Sequence, residues 1–371
     1  MVTSGTTGSL SDRERFHAVM DYESPDRVPA WFFGQWSETF HRWRQEGLDP
    51  GRGVASELGL DADWEQGMWG AHGLVRTGPI SGRKEEVLEE DDDSVVVRTS
   101  LGAIQRRSKG GSTIPEHIEE ALKPTRAAWR KFKRMLDPSD SRRRPQGWET
   151  AASRLNEGET TRAFLAGSLY AWPREWLGVE AISYLAYDDP ALYEEIIETV
   201  ADHFMELLGP VLDRVTFDLA YFFEDCCFRN GPLFSPDCYR RYYHGHYRRM
   251  VDFYHRKGVK RALLDSDGKT DALIPCWLES GLDIVFPIEV GTWRADPVEL
   301  RQRFGKQLRM MGGVDKHVIT QGEDAVRAHL QRLVPLVREG GYIPLPDHRI
   351  PPDCSLQQFR DYVRIFREVL G

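Results

Sequence analysis

The sequence predicts an α/β protein of the (β/α)8 TIM barrel class. From about residue 160 onward, short apolar runs rich in β-forming residues alternate with longer helical patterns, which is typical of βα units around a parallel sheet. No Gly-x-Gly-x-x-Gly loop follows any of these runs, and this argues against an open doubly wound sheet. A β-ribbon near residues 84–110 interrupts the pattern, and we interpret it as an insertion.

The elements follow in order along the chain. Near the N-terminus "RVPAWFFG" predicts a strand and "SETFHRWRQEG" its helix, while "LGLDADWEQG" is a weaker second strand. Six further strands are predicted in "TRAFLAGSL", "FDLAYFFED", "VKRALLDSD", "LDIVFPIE", "QLRMMGG" and "GYIPLP". One long helix should begin at the Ser-Pro of "SPDCYRRYYHGHYRRMVDFYHRKG" and end at its glycine, and "EDAVRAHLQRLVPLVREGG" predicts another.

Size and composition limit the possible domain organisation, partners and location of the protein. We expect residues 11–371 to form a single barrel domain, preceded by a disordered N-terminus at residues 1–10. The net charge of -9 argues against nucleic acid as a partner. There is no apolar run long enough for a membrane span and no signal peptide, and the five cysteines fit no zinc ribbon. A soluble cytoplasmic protein is therefore expected.

Polar residues at the carboxyl ends of the predicted strands should meet on one rim, because barrel enzymes build their sites there. The strand-end residues are Gln35, Trp36, Tyr170, Glu224, Asp225, Asp265, Asp267, Glu289, Asp347 and His348. So many carboxylates would repel one another unless a cation, a shared proton or a cationic ligand offsets their charge.

A metal is the simplest such cation. Asp265, Asp267 and His348 form a set of hard ligands for a divalent metal, with zinc as the first expectation and manganese or iron as others. Glu224 or Glu289 could complete that set.

Each candidate also has a simpler structural role. Asp265 and Asp225 could cap turns, and Asp267-Gly268 alone is a common turn. Tyr170 and Trp172 could serve in packing alone.

Several motifs together resemble the uroporphyrinogen decarboxylase superfamily, which includes the decarboxylase of haem synthesis and cobalamin-linked methyltransferases. They are "SDRERFHAVMDYESPDRVPAWFF", "GPLFSPDCYRRYYHGHYRRMVDFYHRKGVKRALLDSDG", "GLDIVFPIE", "LRMMGGVDKHVITQG" and "GGYIPLPDHRIPPDCSLQQFRDYV". The resemblance implies a (β/α)8 barrel with its site at the strand carboxyl ends. It spans most of the chain except the ribbon and its flanks.

The departures from the family pattern bear on function. The decarboxylase places Arg-Gln-Ala-Gly-Arg where this chain has Gly34 to Glu38, so both arginines are missing and one is replaced by an acid. Porphyrinogen decarboxylation is therefore disfavoured, because its substrate carries many carboxylates. The methyltransferases hold zinc with His-x-Cys and a later Cys, and the matching positions here are Asp265, Asp267 and His348. A metal site at these positions would have harder ligands, since it lacks thiolates.

We expect a methyltransferase-like enzyme that moves a methyl group between a small molecule and an acceptor. The divalent metal would act as a Lewis acid, with Glu224, Glu289 or Asp225 as general acid or base. Trp31, Trp36 and Trp172, with Gln35 and Tyr170, would bind the substrate, and aromatic rings beside acids also suit a quaternary ammonium.

The chain has no Asp-x-His-x-x-Gly segment for a corrinoid, so a corrinoid would arrive on a partner protein. A homodimer is compatible with the resemblance. A metal-independent lyase or decarboxylase that uses the acidic residues for proton transfer is the alternative, and a non-catalytic binding barrel is the third.

Overall fold

The structure is a computed structural model that describes residues 9–49, 51, 53–63, 73–110 and 114–371. The predicted disorder at residues 1–10 falls mostly outside this range, and so does the end of the weak second βα unit.

Fourteen strands lie in the described residues. They are β1 (Trp31–Phe32), β2 (Ala62–Asp63), β3 (Glu86–Glu90), β4 (Ser94–Arg98), β5 (Ile104–Ser108), β6 (Glu116–Glu119), β7 (Ala163–Gly167), β8 (Leu219–Phe223), β9 (Cys227–Phe228), β10 (Gly231–Pro232), β11 (Arg261–Asp265), β12 (Ile284–Ile288), β13 (Arg309–Val314) and β14 (Tyr342–Pro346).

The α-helices that the structure describes follow the same order. They are α1 (Asp12–Met20), α2 (Ser37–Gln45), α3 (Val54–Glu57), α4 (Arg126–Phe132), α5 (Trp148–Glu157), α6 (Ala171–Leu177), α7 (Val179–Asp188), α8 (Pro190–Leu212), α9 (Pro236–Tyr242), α10 (His244–Arg256), α11 (Ile274–Glu279), α12 (Val290–Trp293), α13 (Pro297–Phe304), α14 (Glu323–Glu339) and α15 (Leu356–Leu370). Short 3₁₀ turns lie at Lys133–Leu136, Ser141–Arg143, Gly305–Gln307 and Lys316–Gln321.

Eight parallel strands follow one another in chain order, and the predicted (β/α)8 fold class is confirmed. β7, β8, β11, β12, β13 and β14 form a six-stranded parallel sheet, and β1 pairs in parallel with β2. A parallel bridge between Gln35 and Ile350 joins the segment after β1 to the segment after β14. Among the described residues, ladder hydrogen bonds do not join β2 to β7. Asp12 of α1 lies near that junction and accepts from both Trp31 and Thr161.

The sheet lies in the core because both of its faces are covered. Every residue of β7, β12 and β14 is buried, as the apolar runs of a parallel sheet require. α8 packs against β7 and α14 packs against β14, each through one apolar face, and α15 packs against α14. A capping box at Ser355 starts α15. In the part of the chain described, no helix combines the length and hydropathy that crossing a bilayer needs.

The Ser-Pro helix differs from its prediction. It is two helices, α9 and α10, which meet at Tyr243. The Tyr243 ring is fully buried against Tyr239, and its hydroxyl bonds to that of Tyr193. Tertiary packing of this ring fixes the backbone at the break, and Gly245 just beyond it weakens the local helix preference.

The ribbon is larger than predicted. β3 to β6 form a four-stranded antiparallel sheet in chain order, which extends past residue 110 to Glu119. The acidic run from Glu89 to Asp93 lies at its first turn and is exposed, with Asp91 accepting from Ser94. This agrees with a solvated turn.

One arginine of the basic run at residues 141–145 is built into the fold. Arg143 is buried, and its guanidinium donates to the carbonyls of Asp137, Arg76, Gly78 and Met135. The charge therefore joins loops in the fold rather than facing water.

Candidate functional site

Three potential ligand side chains converge at the carboxyl ends of β11, β12 and β14. Asp267, Glu289 and His348 each offer one donor atom, and these atoms all lie within 4.8 Å of one another. His348 Nε2 is 3.4 Å from Asp267 Oδ2. Glu289 is buried, whereas the other two are partly exposed, so the group opens toward solvent on one side.

Glu289 is held by the chain around it. Its Oε2 accepts from the Gly268 N–H at 2.5 Å, and its Oε1 accepts from the Thr292 hydroxyl at 2.8 Å. Each carboxylate oxygen keeps a lone pair for a further partner. Burial raises the pKa of the Glu289 carboxyl, and the charge of Asp267 adds to this, while its two hydrogen bonds and His348 oppose the rise.

Gly268 lies directly against the backbone of Cys227 and Phe228. Its φ is +83°, and a Cβ added there would lie 2.8 Å from the carbonyl carbon of Cys227. Only glycine fits this position without displacing backbone, and this explains the glycine directly after the Asp-x-Asp.

Asp265 is not part of the three-residue group, in contrast to the predicted metal set. Its side chain is buried and accepts from the Tyr221 hydroxyl of β8. β11 ends at Asp265, so Asp267 lies beyond the strand, where the two-residue alternation of side chains no longer applies. Burial raises the pKa of the Asp265 carboxyl well above its usual range, and the charges of Asp267 and Asp225 add to the effect.

Asp225 lies beside the group. Its Oδ1 accepts from the Asp267 N–H at 3.3 Å, and its backbone has a φ of +42°, which is uncommon outside glycine. Burial raises the pKa of the Asp225 carboxyl, as does the charge of Asp267, while Arg174 opposes the rise. The Arg174 guanidinium lies 3.8 Å from Asp225 Oδ2 and donates to the Asp225 carbonyl.

The Glu224 carboxylate is buried and fully hydrogen-bonded, whereas a general acid or base is expected to face the substrate. Its oxygens accept from the N–H groups of Leu169, Tyr170 and Ala171 at 2.6, 2.7 and 3.1 Å, and from the Tyr247 hydroxyl. Burial raises the pKa of this carboxyl, and the four hydrogen bonds oppose that rise. The side chain holds the start of α6 against β8.

One predicted substrate-binding residue, Trp36, lies at the group, and Gln35 directly precedes it in the chain. The Trp36 ring stacks on His348 with centroids 5.9 Å apart, and Phe33 meets the same imidazole edge-on at 5.3 Å. Gln35 Oε1 is buried and lacks a hydrogen-bond partner within the described chain. One wall of the site is therefore aromatic, with an amide oxygen nearby on the same segment.

The other three predicted substrate-binding residues are packed elsewhere. Trp31 is 2% exposed, and its indole N–H donates to Asp12 at 3.1 Å. Trp172 packs against Phe204 with centroids 4.7 Å apart. Tyr170 is buried beside α7 and α8, where it lines a separate cavity.

Sequence reasoning missed several residues that shape the site. Thr292 lies three residues after Glu289 at the start of α12, and Tyr221 lies within a run of buried apolar residues. Strand alternation could have placed Tyr221 beside Asp265 once β8 and β11 were known to be neighbours.

Asp347 is one of the predicted strand-end residues, but it does not belong to the three-residue group. It holds the start of α12 by accepting from the Val290 and Gly291 N–H groups at 2.8 and 2.9 Å.

Comparisons with known proteins agree with this fold. The profile of the uroporphyrinogen decarboxylase (URO-D) family matches residues 175–369, which is more than half of the chain. A solved structure, the methyltransferase from Methanosarcina mazei, is similar with a TM-score of 0.62 and 12% sequence identity, covering 98% of this chain and 100% of that one. No curated protein matches the chain. The family match includes the strands that supply Asp267, Glu289 and His348, and the chain belongs to the uroporphyrinogen decarboxylase family.

Proposed function

We propose that the chain is a methyltransferase-type enzyme that uses a divalent metal held by Asp267, Glu289 and His348. The observation that supports this most directly is the convergence of one imidazole and two carboxylates from three strand ends. Oxygen and nitrogen donors of this kind suit zinc, manganese or iron.

The geometry of the group fits such an ion. Zinc bonds of about 2.0–2.1 Å place neighbouring tetrahedral ligands about 3.3 Å apart. The 3.4 Å between His348 Nε2 and Asp267 Oδ2 is close to this value. Glu289 offers an oxygen within 4.8 Å of the other two donor atoms, and the Gly268 N–H and the Thr292 hydroxyl hold its carboxylate, as hydrogen-bond donors behind a metal ligand usually do.

A metal bound here would supply Lewis-acid activation of the heteroatom that carries the methyl group. Asp225, which lies beside the group, would act as the general acid that gives a proton to that heteroatom as the bond to methyl breaks. Trp36 and Phe33 would pack against the apolar part of the substrate, and Gln35 would accept a hydrogen bond from it.

The methyl acceptor would be a corrinoid carried by a partner protein. The similarity in fold to a methyltransferase supports methyl transfer, and no corrinoid motif is present in this chain. The expected cytoplasmic location and a homodimeric state stay predictions.

A metal-independent proton-transfer enzyme is the second candidate. The buried pair of Asp265 and Tyr221 favours it, because the Tyr221 hydroxyl donates to the Asp265 carboxyl and burial raises the pKa of that carboxyl well above its usual range. Such a pair could take part in proton transfer without any metal.

Metal content distinguishes the two candidates. We expect about one equivalent of a divalent metal in the parent protein, and almost none in Asp267→Ala or His348→Ala. Asp265→Asn is the matched control, since it removes a nearby carboxylate outside the group, and it should keep its metal. A parent that binds no zinc, manganese or iron would exclude the Lewis-acid proposal. Loss of metal in Asp265→Asn as well as in Asp267→Ala and His348→Ala would restore the ligand set predicted from sequence.

Methyl transfer is then tested directly. The parent is incubated with a reduced corrinoid and a panel of small O-, N- and S-methyl compounds, and methylation of the corrinoid is followed by its absorbance. His348→Ala should show at least a hundredfold slower methylation with any active compound, and equal rates in the two proteins would argue against a role for the metal.

A further inference from the structure

A cavity of about 230 Å³ lies between α7, the start of α8 and the segment before α9. It shares no residue with the candidate metal group. Its described lining is aromatic, aliphatic and neutral, without a charged side chain, although 29% of the chain is charged. Such a lining favours a neutral ligand, because an ion would lose its hydration here without a counter-charge.

One polar side chain that lines this cavity makes no hydrogen bond within the described residues. Tyr170 is 3% exposed, and its hydroxyl has no hydrogen-bond partner anywhere in the described residues. Burial raises the pKa of this hydroxyl, so it keeps its proton and can donate at neutral pH. A buried hydroxyl without a partner costs about 1–3 kcal/mol, and a ligand acceptor would remove that cost.

The neighbouring polar groups are already paired. The Tyr193 hydroxyl bonds to that of Tyr243, and Ser183 donates to the Val179 carbonyl at 2.6 Å. Ser235 accepts from the N–H of its own helix start. Among the described lining residues, Tyr170 is thus the one with a buried polar atom that has no hydrogen-bond partner.

We propose that this cavity binds a small neutral aromatic molecule with one hydrogen-bond acceptor, such as a ketone, held by the Tyr170 hydroxyl. Its volume exceeds the roughly 150 Å³ of an apolar cavity that holds benzene. Phe234 meets the Tyr170 ring edge-on at 4.9 Å, and Tyr187 lies at the rim with 83% of its surface exposed. Aromatic rings on these sides match a flat ligand. This site is independent of the proposed methyl transfer.

The test compares three probes on the full chain by calorimetric or ligand-observed NMR titration. Acetophenone has the acceptor, ethylbenzene has nearly the same shape without it, and benzoate has a charge. We expect acetophenone to bind saturably, ethylbenzene more weakly, and benzoate not at all. Tyr170→Phe should weaken acetophenone five- to tenfold and leave ethylbenzene unchanged. Ser183→Phe, at an exposed helix position that lines the cavity, should abolish binding of both.

Tyr184→Phe is the control, since Tyr184 is on the same helix but does not line the cavity. It should bind all probes as the parent does. No saturable acetophenone binding to the parent, or equal acetophenone affinity in the parent and Tyr170→Phe, would overturn the proposal. Tyr170→Phe should also melt no lower than the parent, because its hydroxyl has no partner to lose. A melting temperature several degrees lower would show that the hydroxyl is paired in the fold, and would also refute the proposal.

Discussion

Thr292 offers the clearest residue-scale test of the metal group. Its hydroxyl donates to Glu289 Oε1 at 2.8 Å without belonging to the group itself. Thr292→Val keeps the shape of the side chain and removes this hydrogen bond, so Glu289 should lose orientation. We expect metal affinity to fall about 10- to 100-fold, as measured by competition with a chelator.

The control for Thr292→Val is Thr320→Val, because Thr320 donates to the His317 carbonyl in a nearby loop and does not touch Glu289. Its metal affinity should equal that of the parent. An unchanged affinity in Thr292→Val would mean that Glu289 is not a ligand.

The residue types at the site were predictable from sequence, but not their grouping. Asp267 and His348 were predicted as ligands and lie together, whereas Asp265 accepts from Tyr221 and Glu289 lies in its place. The difference depends on where β11 ends. Two-residue alternation holds only within a strand, and Asp267 lies two residues beyond the end of β11 at Asp265.

At the scale of elements, the turn after β11 depends on Gly268. Gly268→Ala places a Cβ at positive φ and against the backbone of Cys227 and Phe228. Gly258→Ala is a matched control, because its φ is +91° and the space around it is open. The control should cost about 1–2 kcal/mol for the left-handed backbone alone. Gly268→Ala should cost at least about 2 kcal/mol more in urea unfolding, since backbone must move. Equal costs would mean that the close approach is absent.

Elements with strong periodicity were predictable, and elements set by tertiary packing were not. The apolar runs of β7, β8 and β11 to β14 were all identified as strands. The break between α9 and α10 was missed, because it depends on the burial of Tyr243 against residues distant in sequence. The ribbon's fourth strand was missed because "EHIE" is short, exposed and mostly polar.

At the scale of the whole molecule, the order of strands decides which residues meet. β11 and β12 are neighbours, with Asp265 in register with Phe286, so the loops that follow them approach one another. β14 is two strands away from β12, yet His348 lies at the group, and the chain bends at Asp347 and His348, where Asp347 accepts from the Val290 N–H that follows β12. The alternating pattern predicted a barrel, but register and loop direction follow from packing that no local pattern encodes.

The stability of the whole fold should depend on pH through His203. It is buried in α8, and its Nε2 lies 2.7 Å from the Thr77 carbonyl. Burial, aided by the charge of Arg143, lowers the pKa of His203 from 6.5 to about 4. Between pH 6.5 and pH 4 the unfolded chain binds a proton at this imidazole that the folded chain does not bind. The free energy of unfolding is therefore highest above pH 6.5 and decreases as the pH falls toward 4. The loss should approach about 3 kcal/mol.

His203→Gln keeps an N–H for the Thr77 carbonyl and removes the titration, so its unfolding free energy should fall less than the parent's between pH 7 and pH 4.5. Urea unfolding at several pH values measures this difference. His255→Gln, at an exposed position on α10, should follow the parent curve. If His203→Gln also follows the parent curve, the acid sensitivity of the fold has its source in other groups, such as His246 and His329, whose pKa values burial also lowers.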